Sequence, residues 1–391
     1  MQTDLRQSRV AYFFSQPHQP FFAWGVVSAI VMMLLFLLSM KGVIVFQTLT
    51  PALFHGYTLI FIVFTAFFQG FLLTTFVRFS QMPPLEQKIY TTNFTLLFAA
   101  TLLFLIGVFF SKTVLIAGMV LLAGNQIYTF YVFYQIYRVS PSPDKFDQFW
   151  IMSAFFAGIV TNFMMILFTV IEIPRFETAV LRAGLYLYVV FIALSVGQRM
   201  IPFFSHVMIE KNRKLYPLIF ILFLLAVTAE SVYEHSGFLF LAIAGILLAK
   251  EIYRWHLPFR DAPPILWILH LAIFWLPTGL VAGALADAYA LVTGSNLLFL
   301  SMHLVALGFV TTVLIGFGTR VTLGHSGNMM ITDEKTKILF YLTQIVVYMR
   351  LLYSVTATPF LFDITVVLWI VLFGGWAIKY MPALAFGKRV T

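Results

Sequence analysis

Twelve apolar runs of about twenty residues each dominate this 391-residue chain, and a helix of that length reaches across roughly 30 Å of hydrocarbon. They lie at 21–40, 54–77, 91–110, 114–137, 149–171, 180–198, 216–233, 237–255, 265–284, 296–319, 338–357 and 361–380. Composition excludes a water-soluble globule: 61% of the residues are hydrophobic and only 10% charged, so there is too little polar surface to cover a protein of this size. The expected fold is all-α, a polytopic membrane helical bundle of about 12 transmembrane helices.

Charge sets the expected orientation. Sorted by alternate loops and ends, Lys and Arg divide nineteen against five, and the richer side carries both termini, so both are expected in the cytoplasm. The formal charge of +9 is then explained by topology and by contact with the lipid bilayer. No basic face is contiguous enough to track phosphates, so nucleic acid is not an expected partner. Residues 1–20 are polar and basic, without a short apolar region and small-residue cleavage site, and read as a cytoplasmic arm. A membrane domain follows over 21–380, then a cytoplasmic tail over 381–391. Loops are short, Pro-rich elbows at 82–84 and 262–264 mark span boundaries, and no strong internal repeat is visible. Cysteine is absent, which excludes disulfides, thiolate nucleophiles, iron–sulfur ligands and covalent haem attachment.

Polar groups inside hydrocarbon are costly and mark function. His303 lies within an apolar run, and His55 opens the second span from the same side. Two imidazoles facing each other across a bundle can clamp a haem iron between them. Their depths match imperfectly: at ~1.5 Å per residue, His55 lies about 35 Å from Arg78 and His303 about 25 Å from Arg320. Arg350, deep in the eleventh span, and Arg182, near the outer start of the sixth, are the candidate cations for haem propionates. The alternative for Arg350 is a salt bridge to Glu230. Glu230 and Glu234 share a helix face and read as structural salt-bridge partners, and His235 as an interfacial residue. On the inner side His270 and His325 can form a second metal site with Arg199 and Arg320 nearby, or each can simply hydrogen-bond a helix end. His18, His206 and His256 read as solvated or structural. Met302 is expected on a different helix face from His303, and Tyr128, Tyr131, Tyr134 and Tyr137 as an interhelical seam.

Four segments together resemble the NnrS family of bacterial membrane haem-copper proteins: FHGYTLIFIVFTAFFQGFLLT (54–74), SVGQRMIPFF (195–204), WILHLAIFWLPTGL (267–280) and MHLVALGFVTTVLIGFGTRVTLGHSG (302–327). The resemblance covers most of the chain, and the last segment is the most specific. Carried over by position are His55, Arg199, Pro202, His270, His303, Arg320, Gly324 and His325. Relatives commonly have a second His followed by Glu two residues after the position of His55, where this chain has Tyr57 and Thr58. Membership implies haem b and copper as cofactors, a link to nitric oxide metabolism or resistance, an electron donor as partner, and the bacterial inner membrane as location. The layout is also similar to the large subunit of haem-copper oxidases. Ser301 stands where those enzymes have a further His, and spans six and seven lack their histidine cluster, so a binuclear oxygen-reducing centre is not expected. The competing reading is a twelve-span transporter of a metal ion or small anion, which predicts repeat symmetry and helices broken near the midplane.

Overall fold

A computed structural model describes residues 9–295, 297–388 and 390. Residues 1–8 of the expected arm and residues 389 and 391 of the expected tail lie outside the described residues. After a short helix at Arg9–Phe13, twelve long helices follow. They are α1 His18–Met40, α2 Pro51–Phe79, α3 Gln87–Phe110, α4 Lys112–Val139, α5 Phe146–Ile171, α6 Phe176–Phe204, α7 Leu215–Val232, α8 Phe238–Arg254, α9 Pro264–Thr293, α10 Leu300–His325, α11 Glu334–Thr356 and α12 Pro359–Phe386. Among the described residues there is no strand, and eleven helices are long and apolar enough to cross a membrane. The twelfth, α8, has 17 residues and packs along α7 and α9. The chain ends meet: the Tyr12 hydroxyl donates to the Ala383 carbonyl at 3.3 Å, and the Val390 amide to Asn328. We call this the proximal end of the bundle and the opposite one the distal end.

Three helices form the centre. The apolar windows of α2, α6 and α10 are 100%, 94% and 83% buried, against 56% or less for every other span. A helix that is apolar all round belongs in the interior, and these three touch one another while the rest surround them. They recur every fourth helix, a regularity of elements that leaves no trace in the residue pattern. Each also widens into an underwound π-helical stretch, at Leu59–Phe64, Gly184–Val190 and Leu304–Thr311. Threonines take up carbonyls there, five residues back: Thr65 bonds Ile60, Thr311 bonds Ala306 and Thr312 bonds Leu307.

With no water in hydrocarbon, polar side chains turn inward and pair. The Tyr57 hydroxyl donates to Asn162, and Asn162 to Gln126, both at 2.9 Å. Tyr188 meets Thr65 at 2.8 Å, and Gln69 donates to Asn125 and Thr129, which Asn93 also joins. The expected tyrosine seam on α4 holds in part: Tyr128 and Tyr137 are half-buried against the core, Tyr131 and Tyr134 are exposed, and Asn125, Gln126 and Thr129 occupy the buried face. The amide and hydroxyl groups have the greater need of internal partners, and a tyrosine ring tolerates the lipid side.

At the proximal end Asp147 on α5 is fully buried and accepts from Arg199 and Lys211, both at 2.7 Å, and from Gln198. This ties α5 to α6 and to the segment after it. In the preceding loop burial would raise the Asp144 carboxyl, but the Phe146 amide, Lys211 and Arg213 outweigh it and hold it below its ordinary range.

The α3–α4 hairpin is the tightest in the bundle. A Cβ at Gly118 would lie 2.5 Å from the Phe104 backbone, whereas one at Gly124 would touch nothing within 4 Å. Gly118→Val should therefore cost at least about 1–3 kcal/mol by overpacking. Gly124→Ala should be neutral or stabilising by up to about 1 kcal/mol. Thermal unfolding in detergent compares the two.

Candidate functional site

At the distal end α1, α2, α6, α10, α11 and α12 enclose a cavity of about 300 Å³. That is the lower end of the size range for small-molecule and cofactor sites. Its wall is mostly apolar, and its ionisable nitrogen groups are His55, His303 and Arg350, with hydroxyls from Thr178, Tyr353 and Thr365 on the same lining. Thr50 accepts from the Leu53 amide and Pro51 starts the helix, which fixes the first turns of α2 and sets His55 over the cavity. On the other side Leu298 and Phe299 adopt left-handed backbone angles, φ 48° and 57°. They turn the chain into α10 so that His303 faces His55.

The two rings are nearly parallel, with an interplanar angle of 11° and centroids 6.1 Å apart. Phe36 stacks on His55 at 4.4 Å. His303 Nδ1 lies 2.9 Å from the Phe299 carbonyl and 3.1 Å from Arg350 Nη2. A carbonyl oxygen only accepts and a guanidinium only donates, so Nδ1 cannot serve both. Arg350 already donates to the Leu298 carbonyl at 2.7 Å and to Ser354, so Nδ1–H is best assigned to Phe299. Nε2 of His303 then keeps its lone pair.

Arg350 is 9% exposed, lies 5.0 Å from the Tyr353 ring, and has no carboxylate partner among the described residues. The alternative pairing with Glu230 is corrected, because Glu230 forms a buried ion pair with Arg182 instead. The same pair occupies the second candidate cation, so Arg182 is not free for a propionate. Glu234 is not a salt-bridge partner of an arginine; it lies 3.8 Å from His235 Nε2. His235 is no bare interfacial residue, since its Nδ1 bonds Asp287 at 2.8 Å. Met302 lines the same cavity as His303. Tyr57 is two residues from His55, on the far side of α2, and its hydroxyl belongs to Asn162. The unequal distances to Arg78 and Arg320 mattered little: measured to the ends of α2 and α10, the two histidines sit at nearly equal depth.

The proximal residues divide differently from expectation. His325 packs against His18, with centroids 4.7 Å apart, rather than against His270. His18, read from sequence as solvated or structural, is 2% exposed and its Nδ1 has no partner among the described residues. The Ser205 hydroxyl donates to Ile201, so it accepts from His270 Nε2 at 2.6 Å and leaves His270 Nδ1 buried without a partner. Arg199 pairs with Asp147 and lies over Phe79; Arg320 lies 3.8 Å over the Phe204 ring. Pro202 sits in the last turn of α6, and a Cβ on Gly324 would meet only the end of Met330. Among the described residues no group of three or more His, Asp or Glu is arranged to hold a metal. His206 and His256 follow helix ends in left-handed conformation, both exposed.

Residues 12–386 match the sequence model of a family described as NnrS protein. No curated protein matches the chain.

The Arg182–Glu230 pair generates a test of its own. Removing one partner of a buried ion pair leaves the other uncompensated, so Arg182→Leu or Glu230→Leu should each destabilise by about 3–5 kcal/mol. The double Arg182→Leu/Glu230→Leu replacement should recover most of that loss. Thermal melts of the purified single and double variants read the difference.

Proposed function

Because the chain belongs to the NnrS family, we propose that it is an integral membrane haem protein of nitric oxide metabolism or resistance. Haem b is held between His55 and His303. The observation that carries this is the separation of the two imidazoles. Bonds of about 2 Å from a metal to each ring nitrogen put ring centres roughly 6 Å apart, and these centres are 6.1 Å apart across an apolar cavity. The Phe299 carbonyl favours the tautomer that frees His303 Nε2, which is how an outer hydrogen bond orients an imidazole ligand. Arg350 supplies the positive charge that a propionate needs. When bound, the haem would supply one-electron oxidation and reduction.

With both His55 and His303 holding the haem, the distal site would carry electrons and gas chemistry would fall to a second centre. For copper, which accepts imidazole, the best donors at the proximal end are His18 and His325, with His270 as the next. Their support is the 4.7 Å ring contact and the unpartnered Nδ1 atoms of His18 and His270. The Lys and Arg asymmetry supports cytoplasmic termini and a distal end facing the periplasm; residence in the bacterial inner membrane and an electron donor as partner are part of the family reading.

Purified protein should show a Soret band that His55→Ala and His303→Ala each abolish while His18→Ala retains it. Arg350→Leu should weaken haem retention by roughly 10–100-fold. Wild-type protein without the band, or with the band intact in both histidine variants, overturns the assignment. Orientation can be read separately because the chain has no cysteine. In spheroplasts a membrane-impermeant maleimide should label Ser236→Cys, and should label Asn212→Cys only after lysis.

A further inference from the structure

Behind the cavity wall lies a second set of polar groups that haem binding does not use. Glu234 is 60% exposed at its side chain; its carboxylate lies 3.8 Å from Nε2 of His235, which is 16% exposed. Nδ1 of His235 lies 2.8 Å from Asp287, 8% exposed. Asp287 lies beside Ser301, and Ser301 beside Tyr186. Exposure thus falls stepwise from the distal surface to the interior along a chain of groups that exchange protons.

The far end of this chain backs onto the cavity. Ser301 is two residues from His303, Arg182 follows Leu181 and Tyr186 follows Leu185, and Leu181 and Leu185 both line the cavity. The charges facing Asp287 can be counted. From α6 come Arg182 and Tyr186, from α7 Glu230, from the turn after it Glu234 and His235, and from α10 Ser301. α8, which also packs on α9, has its charged residues Lys250, Glu251 and Arg254 at its other end. Arg182 and Glu230 cancel, so among these groups the buried part is left one carboxylate in excess, Asp287. One proton neutralises it.

We propose that Glu234, His235 and Asp287 form a proton-exchange path from the distal aqueous phase to the cavity, so that the site takes up a proton when it gains an electron. The step balances without further reagents. A proton from water binds the Glu234 carboxylate and passes through a bridging solvent water across the 3.8 Å gap to His235 Nε2, while the proton on Nδ1 moves to Asp287. Return of the imidazole to its first tautomer resets the path. One proton crosses, and no electron moves through these residues; the electron comes from a one-electron reductant in the aqueous or membrane phase. The advantage is electrostatic, because a charge added in a low-dielectric interior is costly unless an opposite charge accompanies it.

This inference rests on the haem reading, and its test separates the two. The midpoint potential of the purified protein is measured by optical titration with dithionite at several pH values. One proton per electron means a tenfold change in equilibrium constant per pH unit, about 59 mV. Wild type should approach that slope over part of the range, and Asp287→Asn, which keeps the shape of the carboxyl, should flatten it with the Soret band retained. Redox-difference infrared spectra should show a carboxylic acid band on reduction in wild type and lose it in Asp287→Asn. If Asp287→Asn is not recovered folded, His235→Asn replaces it with the same expected flattening. An unchanged slope in the folded variant overturns the path while leaving the haem assignment intact. Absence of a Soret band in wild type overturns the haem reading and the path with it.

Discussion

Inside hydrocarbon a polar group has only the protein to pair with, and every feature of this bundle follows from how that demand is met. The α4 amides and hydroxyls face inward and bind the second span through Gln69 and, by way of Asn162, through Tyr57. This cross-linking holds α2 in the centre and directs its one unpaired polar face, the one bearing His55, toward the distal cavity. Lipid-facing positions are left to Phe, Leu and Tyr, which need no partner of that kind.

Long apolar runs made the number and order of helices legible, since length and hydropathy are additive along the chain. The pairing of His55 with His303 could also be read, because two imidazoles entering hydrocarbon from the same side have few ways to be satisfied. The rest was hidden by its physics. A π turn costs one residue of register and has no composition of its own; only the threonines that accept the displaced geometry hint at it. His18 read as a residue of a solvated arm because the packing of the chain's beginning against α10 is a long-range contact. Arg182 was separated from Glu230 by two helices' worth of sequence, so which of two arginines took the glutamate was a tertiary choice.

The π stretches connect local geometry to the site. In α10 the π-helical segment begins at the residue after His303, and in α2 it begins four residues after His55. An extra residue in a turn rotates everything before it relative to everything after it, by about 100° in an α-helix. The deeper turns of both helices are buried on every side and cannot rotate, so the adjustment falls on the distal turns that carry the imidazoles. Without it a helix that presents Gln69 and Thr65 to α4 and α6 would present a different face at the level of His55. The cost in hydrogen-bond geometry is offset where threonine hydroxyls return bonds to the carbonyls.

Charge gives the distal end its remaining logic. Arg350 brings a buried positive charge to the cavity without a carboxylate beside it among the described residues, and Asp287 with its neighbours holds a single negative charge behind the cavity wall. Across the intervening apolar space neither neutralises the other at contact, since a direct pair at about 4 Å would be worth far more than a separated one. A protein gains nothing in stability from that separation, and burying an isolated guanidinium is costly by itself. The arrangement becomes favourable once an anionic group lies against Arg350, because the guanidinium is then paired. The excess negative charge is then balanced by whatever positive charge enters between the two histidines. A ferric porphyrin with its propionates meets both conditions with one molecule, whereas a free anion or a free cation meets one and worsens the other.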